Sequence, residues 1–369
     1  MDTTGLRPLT TTTGPFVSVH FDESHDTADA AKLLRLRLRE IEAALTEQGA
    51  DAPSVAAILR TVEAGTPPVG RAGRSVIAAH GEVVADHRLA APPATQEVRY
   101  SDLPYFLPVI THSADAPEYL VVLVDRVGAN VEVHHTDGTT REETVQGRDD
   151  EVHKARTGGV DHRDLQHRIE ETVRHNLEDV AAHVTKTVER TGARLVVLAG
   201  EVQSRAELQD LLPAAVREIT AETDAGGRAP GANRAELDER IHELIGTRHL
   251  AELDDLAERV RAELGRRSGR AVCGLEGVTG ALAEANVATL LVGAPGDLEV
   301  LTGPEPAQLG VTESRLAALG APAPTRHRAD EALPFAAVAV GADVVVMDER
   351  IDLPDGFAAL LRHSTRSPE

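Results

Sequence analysis

The sequence predicts an α/β protein with three domains. Its 369 residues are too many for one ordinary core, since domains usually have about 100 to 200 residues. Apolar runs at strand spacing alternate along the chain with apolar stripes at helical spacing, which is typical of α/β layers. Three Gly and one Pro within residues 224–233 mark the clearest linker. We predict domains at residues 1–114, 115–226 and 227–369.

The N-terminal domain is predicted to be a mixed α/β domain. Its expected elements are a strand at 15–21, a helix at 31–45, a second helix at 54–63, and a hairpin with strands at 74–79 and 82–85 around His80-Gly81. Residues 103–108 contain two prolines, and Pro cannot donate a hydrogen bond within a central sheet. We therefore expect that segment to be an extended connection.

The central domain is predicted to begin with two strands and to continue as helix, strand and helix. Residues 119–125 are almost all apolar, as in a strand covered on both faces, and residues 128–134 alternate. A charged loop is expected from 141 to 156. The apolar stripe of the helix that follows has spacings of three and four and comprises Leu165, Ile169, Val173, Leu177, Val180, Val184 and Val188. The remaining elements are a buried strand at 194–199 and a helix at 204–211 with Ser204 as its N-cap.

A long charged helix is predicted from about 234 to 267, with Gly246 as the point where it could break. The third domain then alternates helix and strand, which favours an α/β/α sandwich. Its helices are expected at 275–285, 312–319 and 331–339, and its strands at 288–292 and 343–347.

Composition excludes several function classes. The formal net charge of -22 argues against general nucleic-acid affinity, because Lys and Arg supply non-specific binding to phosphate. The single cysteine, Cys273, rules out an internal disulfide and a CxxC metal site, and we expect it to be buried. The histidines have no zinc spacing, and no phosphate-binding or nucleophile-elbow motif is present. We expect no metal, no cofactor and no membrane span, and a cytoplasmic location.

One segment departs from this acidic background. Residues 153–168 contain four Lys or Arg against two Asp, and three His are added. Two consecutive glycines allow close backbone approach, and the flanking cations favour a phosphate-rich neighbour. A flexible turn before a solvated helix is the plain alternative. The predicted RNA-binding residues are Lys154, Arg156, Gly158, Gly159, Val160, His162, Arg163, His167 and Arg168.

This loop and the helix after it resemble the central domain of the archaeal and eukaryotic class-1 peptide release factors. There the loop carries Gly-Gly-Gln into the ribosomal peptidyl transferase centre, whereas here Val160 follows the glycines. The resemblance extends to Gly226-Gly227, where the family joins its central and third domains, and to the third domain, which is similar to the ribosomal-protein L7Ae fold. The missing Gln and the absence of a decoding motif in residues 1–112 favour the bacterial branch of the release factor and Pelota superfamily. That branch includes the ribosome hibernation factor Balon.

The resemblance implies a non-enzymatic factor that binds the ribosome near the A site, contacts the rRNA of the A site and the peptidyl transferase centre, and acts in hibernation or rescue. It also implies a translational GTPase, such as elongation factor Tu, as a partner. Two alternatives stay open. Asp161 and His162 could orient a water molecule, which would make the protein a peptidyl-tRNA hydrolase or an RNA-cleaving enzyme. The acidic helices at 234–267 could instead define a cytosolic protein-interaction module without RNA contact.

Overall fold

The chain folds into two compact units. The computed structural model describes residues 3–68, 70–89, 91–115, 117–136, 138–147, 162–228, 233–321 and 323–365. One unit contains residues 1–114 and 250–369, and the other contains residues 115–249. Both units combine sheets with helices, so the predicted α/β class is confirmed. The three domain boundaries stay a prediction.

The N-terminal part of the first unit is a four-stranded antiparallel sheet with two of its helices packed on one face. After a 3-10 helix at Thr4–Thr11, its elements are β1 (Phe16–Asp22), α1 (Ala30–Glu47), α2 (Ala52–Ala64), β2 (Gly73–Ala79), β3 (Glu82–Leu89), β4 (Glu97–Ser101) and α3 (Leu107–Asp115). The strand order is β3-β2-β1-β4. The predicted hairpin is confirmed: His80 and Gly81 have φ of 54° and 81°, as a two-residue turn between twisted strands requires.

The prediction of an extended connection at 103–108 is wrong at its end. Helix α3 begins at Leu107 and places Pro108 in its first turn. A backbone N–H in the first turn has no partner within the helix, so Pro is tolerated there. Proline therefore marks a helix start in this segment.

The second unit is built on a five-stranded mixed sheet. Its elements are β5 (Tyr119–Val124), β6 (Gly128–His134), β7 (Thr140–Gln146), α4 (His162–Thr191), β8 (Leu195–Gly200), α5 (Val202–Leu211), α6 (Ala214–Glu218), β9 (Thr220–Glu222) and the first half of α7 (Arg234–Arg266). The strand order is β7-β6-β5-β8-β9. Strands β5, β8 and β9 are parallel, and β6 is antiparallel to both β5 and β7.

Apolar side chains cover both faces of this sheet. The predicted stripe of α4 is buried at Leu177, Val180 and Val184, where it packs on one face together with α5. Leu237, Ile241 and Ile245 of α7 cover the other face. Helix α7 continues through Gly246 without a break.

Two local predictions in this unit are wrong. Residues 140–146 form the edge strand β7, although the sequence predicted a charged loop from 141. Helix α5 begins at Val202 with Glu201 as its N-cap, so Ser204 lies inside the helix. Ser204 is buried, and its hydroxyl donates to the Glu201 carboxylate at 2.9 Å.

The C-terminal part of the first unit is the predicted three-layer α/β/α sandwich. The elements after α7 are β10 (Ala271–Cys273), α8 (Gly274–Ala283), β11 (Val287–Val292), β12 (Glu299–Thr302), β13 (Leu309–Gly310), α9 (Glu313–Ala318), β14 (Thr325–Arg328), α10 (Ala329–Ala339), β15 (Asp343–Val346) and β16 (Phe357–Leu361). The main sheet has the order β10-β16-β11-β15. Helices α8 and α10 cover one face, and the second half of α7 covers the other. Cys273 is exposed at the end of β10, so its predicted burial is wrong.

The two ends of the chain share one hydrophobic core in the first unit. Phe16, Phe106 and Ile110 from the N-terminal part belong to the same cluster as Leu333 and Ala336 of α10. Ionic contacts add to this core. Arg99 of β4 lies 3.0 Å from a carboxylate oxygen of Asp330 and 3.0 Å from one of Glu331, and both carboxylates are buried.

Candidate nucleic-acid interface

The predicted interface falls mostly on residues for which no side chain is described. Lys154, Arg156, Gly158, Gly159 and Val160 lie outside the described residues, and for His162, Arg163 and Arg168 only the helical backbone is described. The side chain of His167 is 82% exposed, with its Nδ1 3.9 Å from Glu170 Oε2. The described residues therefore show how the chain is fixed before and after the predicted loop.

The loop leaves the central sheet at the edge where parallel strands end. Strand β6 is antiparallel to both β5 and β7, so β7 runs in the same direction as β5 and β8. Gly147 follows β7 directly and donates its N–H to the carbonyl of Val127, in the turn after β5, at 2.8 Å. The carboxyl ends of parallel strands are the usual place for binding sites in α/β proteins. The start of the loop is fixed at that edge.

Asn176 holds α4 against the same edge. It is fully buried, with 0% exposure, and its Nδ2 donates to the carbonyl of Arg126 at 3.1 Å. Gly147 lies so close that a Cβ at that position would be 2.2 Å from Asn176 Oδ1. One amide side chain therefore touches the turn after β5 and the residue where the loop begins. Sequence reasoning gave Asn176 no role, since its position in the polar sequence Arg174-His175-Asn176 does not reveal burial.

The first half of α4 extends beyond this anchor. Residues 162–175, which we call the α4 stalk, precede Asn176 and correspond to about 21 Å of helix at 1.5 Å per residue. Among the described side chains of the stalk, Arg174 is 67% and His175 is 54% exposed. Leu177 is the first fully buried α4 residue of the hydrophobic core, and Val173, one turn earlier in the stalk, is partly buried against the same core. The stalk thus leads from the core contact at Val173 to the predicted loop before its first residue.

The charges beside Asn176 are neutralised in pairs. Arg126 Nε contacts Glu201 Oε1 at 2.9 Å. Asp125 accepts backbone hydrogen bonds from Val127 and Gly128 and binds Arg228 at 2.7 Å. This last contact ties the segment after Gly226-Gly227 to the same edge. These cations are therefore paired with carboxylates at this edge, and the RNA contact of the segment 153–168 stays a prediction.

A second charged cluster lies at the opposite end of the sheet. Glu132 of β6 contacts His134 Nε2 at 3.0 Å and forms a two-pronged ion pair with Arg234 at the start of α7. The ring of Tyr119 stacks on His134 with centroids 4.4 Å apart. Burial alone would raise the pKa of Glu132, but hydrogen bonds from His134 and Arg234 hold that pKa at about 2. This cluster fixes the start of α7 on the sheet.

Within the described part of the chain, no group of three or more His, Cys, Asp or Glu side chains has the arrangement of a metal site. None of the helices in those residues combines the length and the apolar character that a bilayer crossing requires.

Comparison with known proteins decides the family. Residues 118–266 match the model of the bacterial archaeo-eukaryotic release factor family 2, and this stretch includes the predicted loop, α4 and the central sheet. The chain belongs to the bacterial branch of the release factor and Pelota superfamily. Two uncharacterized proteins, from two strains of Mycobacterium tuberculosis, are each 37% identical to this release factor-like protein over 361 residues. That alignment covers 97% of this chain and 96% of each relative.

Solved structures of similar proteins are more distant. The archaeal translation termination factor aRF1 is 14% identical, with 97% of this chain and 95% of that chain covered and a TM-score of 0.25. Dom34 of Saccharomyces cerevisiae, a translation termination-like factor that interacts with Hbs1, is 10% identical, with 80% and 81% covered and a TM-score of 0.43. A ribosome-bound archaeal Pelota is 14% identical, with 96% and 92% covered and a TM-score of 0.41.

Proposed function

We propose that this release factor-like protein is a ribosome-binding translation factor that acts in hibernation or rescue without releasing peptide. The observation that carries the proposal is the α4 stalk, which starts directly after the Gly158-Gly159 loop and leads to Asn176, the residue that anchors α4 at the carboxyl edge of the sheet. A helix of about 21 Å is long enough to bring a loop into a cavity that the rest of the domain does not enter. Membership in the release factor superfamily supports the ribosome as the target.

The loop sequence supports binding without peptide release. Val160 occupies the position of the family's Gln and has an aliphatic side chain, so it cannot position a water molecule at the peptidyl-tRNA ester. Lys154, Arg156 and Arg163 provide the cations that contact with the A site and peptidyl transferase rRNA requires. The acidic remainder of the chain limits binding at other RNA surfaces.

Sedimentation through a sucrose gradient tests the RNA contact. The full chain is expected to migrate with bacterial ribosomes, and charge reversal at Lys154, Arg156 and Arg163 is expected to leave it at the top. Reversal at Arg60, Arg259 and Arg315, which are exposed on three other helices, changes the net charge equally and is expected to have no effect. Equal loss of binding in both variants, or no binding of the unchanged protein, would refute the proposal.

Single-turnover peptide release on ribosomes tests the absence of catalysis. The unchanged protein is expected to release no peptide from peptidyl-tRNA above the ribosome background. Val160→Gln restores the Gly-Gly-Gln sequence and is expected to give measurable release, because an amide then lies next to the ester. If the unchanged protein releases peptide and His162→Ala abolishes that activity, the protein is a peptidyl-tRNA hydrolase.

We also propose a translational GTPase, such as elongation factor Tu, as the partner that delivers the protein to the ribosome. Support comes from the resemblance to the superfamily, whose members of this three-part form commonly travel with such a GTPase. Gel filtration with elongation factor Tu bound to a GTP analogue or to GDP tests this partner. Co-elution that depends on the GTP analogue is expected, and absence of co-elution in both nucleotide states would contradict it.

A further inference from the structure

Helix α1 presents two different faces. Ala30, Leu38, Ile41 and Leu45 are buried against the N-terminal sheet, as an amphipathic helix requires. Lys32, Leu36 and Arg39 are spaced by four and three residues and so share the opposite face, with Arg35 and Leu33 beside them. These five side chains, which we call the α1 stripe, are all exposed.

The stripe is basic in an acidic chain. From residue 30 to residue 39 there are four cations and no Asp or Glu, and the exposed carboxylates of Asp29 and Glu40 border this run. The whole chain has a net charge of -22. Arg37 is paired with Asp22 at 3.2 Å. Lys32, Arg35 and Arg39 form no ion pair with any described residue. Three neighbouring cations thus remain available to an anionic partner.

The stripe is also apolar. Leu33 is 50% and Leu36 is 44% exposed, and they are two of the six exposed large hydrophobic residues among the described part of the chain. Their spacing of three residues places them on adjacent turns. Contacts to a phosphate backbone use cations and polar groups and leave such leucines in water. Aliphatic side chains bordered by cations fit a protein partner better. The partner can bury the leucines while its acidic side chains pair with the surrounding cations.

We propose that the α1 stripe is a docking site for an acidic amphipathic helix of another protein. Apolar side chains of the partner cover Leu33 and Leu36, and its Asp and Glu residues pair with Lys32, Arg35 and Arg39. This is helix-to-helix recognition through positions three and four residues apart, with charge complementarity fixing the orientation. Such a contact is smaller than a standard interface of about 1,600 Å², so the complex is transient.

A defined peptide tests the stripe without requiring ribosome binding. The probe is a labelled helical peptide of about 20 residues with a Glu polar face and a Leu apolar face, titrated with the full chain in a fluorescence anisotropy assay. Saturable binding is expected. Lys32→Glu, Arg35→Glu and Arg39→Glu together are expected to raise the Kd by about tenfold or more through loss of three ion pairs and gain of repulsion. Leu33→Ala with Leu36→Ala is expected to raise it about fivefold.

Matched controls distinguish binding at the α1 stripe from a general effect of net charge. Reversal at Arg60, Arg259 and Arg315 gives the same change in net charge and is expected to leave the Kd unchanged. A peptide with Lys in place of Glu can associate with the acidic remainder of the chain, but reversal at Lys32, Arg35 and Arg39 is expected not to weaken its binding. Equal weakening by both triple reversals, or no saturable binding of the acidic peptide, would overturn the proposal.

Two further measurements distinguish a protein partner from RNA and from a second copy of this chain. An oligouridylate RNA with the same negative charge as the peptide is expected to bind more weakly and to be insensitive to the leucine replacements. Tighter RNA binding that is insensitive to those replacements would assign the stripe to RNA and refute a protein partner. Sedimentation equilibrium is expected to give a monomer. Self-association that the stripe reversal abolishes would instead identify a second copy of this chain as the occupant.

Discussion

Asn176 connects the candidate interface to the folded core. Its amide donates to the carbonyl of Arg126 at 3.1 Å and packs against Gly147, and it is fully buried. Asn176→Leu keeps a similar volume but removes the donor to the Arg126 carbonyl, so we expect a loss of about 1 kcal/mol in the free energy of unfolding. Urea unfolding of the full chain measures this loss.

The neighbouring residue provides the control for that substitution. His175 lies on the same helix, and its side chain is 54% exposed. His175→Leu is expected to change the free energy of unfolding by no more than about 0.5 kcal/mol. If the two substitutions were equally destabilising, the effect would come from introducing leucine into this part of α4 and not from loss of the hydrogen bond to the Arg126 carbonyl.

Glu132 gives the second unit a pH-dependent contribution to stability. Hydrogen bonds from His134 and Arg234 outweigh burial and hold its folded pKa at about 2, below the ordinary value of 4.5. A lowered carboxylate pKa stabilises the fold above the unfolded value and loses that effect as pH falls from about 4.5 towards 2. We expect Glu132→Gln to be less stable than the unchanged protein at pH 7, with a difference that shrinks across that window.

Unfolding curves at several pH values measure this difference. Glu239→Gln provides the control, since Glu239 is exposed on α7 in the same unit. The Glu239 variant is expected to follow the unchanged protein at every pH. A constant difference between the Glu132 variant and the unchanged protein from pH 7 to pH 2 would contradict the assigned pKa shift.

At the scale of the elements, α7 contains a glycine whose position has room for a side chain. Gly246 is exposed inside the helix, and a Cβ there would meet no atom within 4 Å. Gly246→Ala reduces the entropy of the unfolded chain and is expected to stabilise the protein by about 0.5 to 1 kcal/mol. Gly147→Ala is expected to destabilise it, because the Cβ would lie 2.2 Å from Asn176 Oδ1. Thermal unfolding of the two variants should show shifts of opposite sign.

The elements that were predicted from sequence are those with a clear apolar pattern. The stripe of α4 and the apolar run of β5 each bury one continuous surface, so spacing alone identifies them. Strand β7 has one apolar residue, Val145, and is held by backbone pairing to β6 at the edge of the sheet. Backbone pairing leaves no hydrophobic pattern in the sequence, which is why a loop was predicted there.

In the candidate site too, some features could be predicted from the sequence and others could not. The glycine pair, the cations and the start of α4 could be found in the sequence, because they are close together along the chain. The anchor could not be found, since Gly147 and Asn176 are 29 positions apart and meet only in the folded sheet. Ser204 shows the converse error: it matches a capping pattern, but its hydroxyl bonds to Glu201 inside a helix that starts at Val202.

At the scale of the whole molecule, charge is distributed unevenly. A net charge of -22 coexists with a basic segment at 153–168 and with the basic α1 stripe. Acidic surroundings repel polyanions at long range, so binding then depends on sites where local cations meet a fitting surface. Both proposals rest on this arrangement, and each is tested by reversing the charges of one segment while an equal reversal elsewhere serves as control.

The first unit joins the two ends of the chain, and Arg99 is central to that junction. Its guanidinium pairs with the buried carboxylates of Asp330 and Glu331 and lies 3.5 Å from the ring centroid of Tyr105. Arg99→Met would remove a cation from the buried carboxylates of Asp330 and Glu331. We expect a loss of about 3 kcal/mol in the free energy of unfolding. Arg326→Met removes an exposed guanidinium 3.7 Å from Glu299 and is expected to cost no more than about 0.5 kcal/mol. Limited proteolysis of the Arg99 variant should expose sites in both residues 1–114 and residues 250–369, whereas cleavage confined to one segment would show that the two ends fold independently.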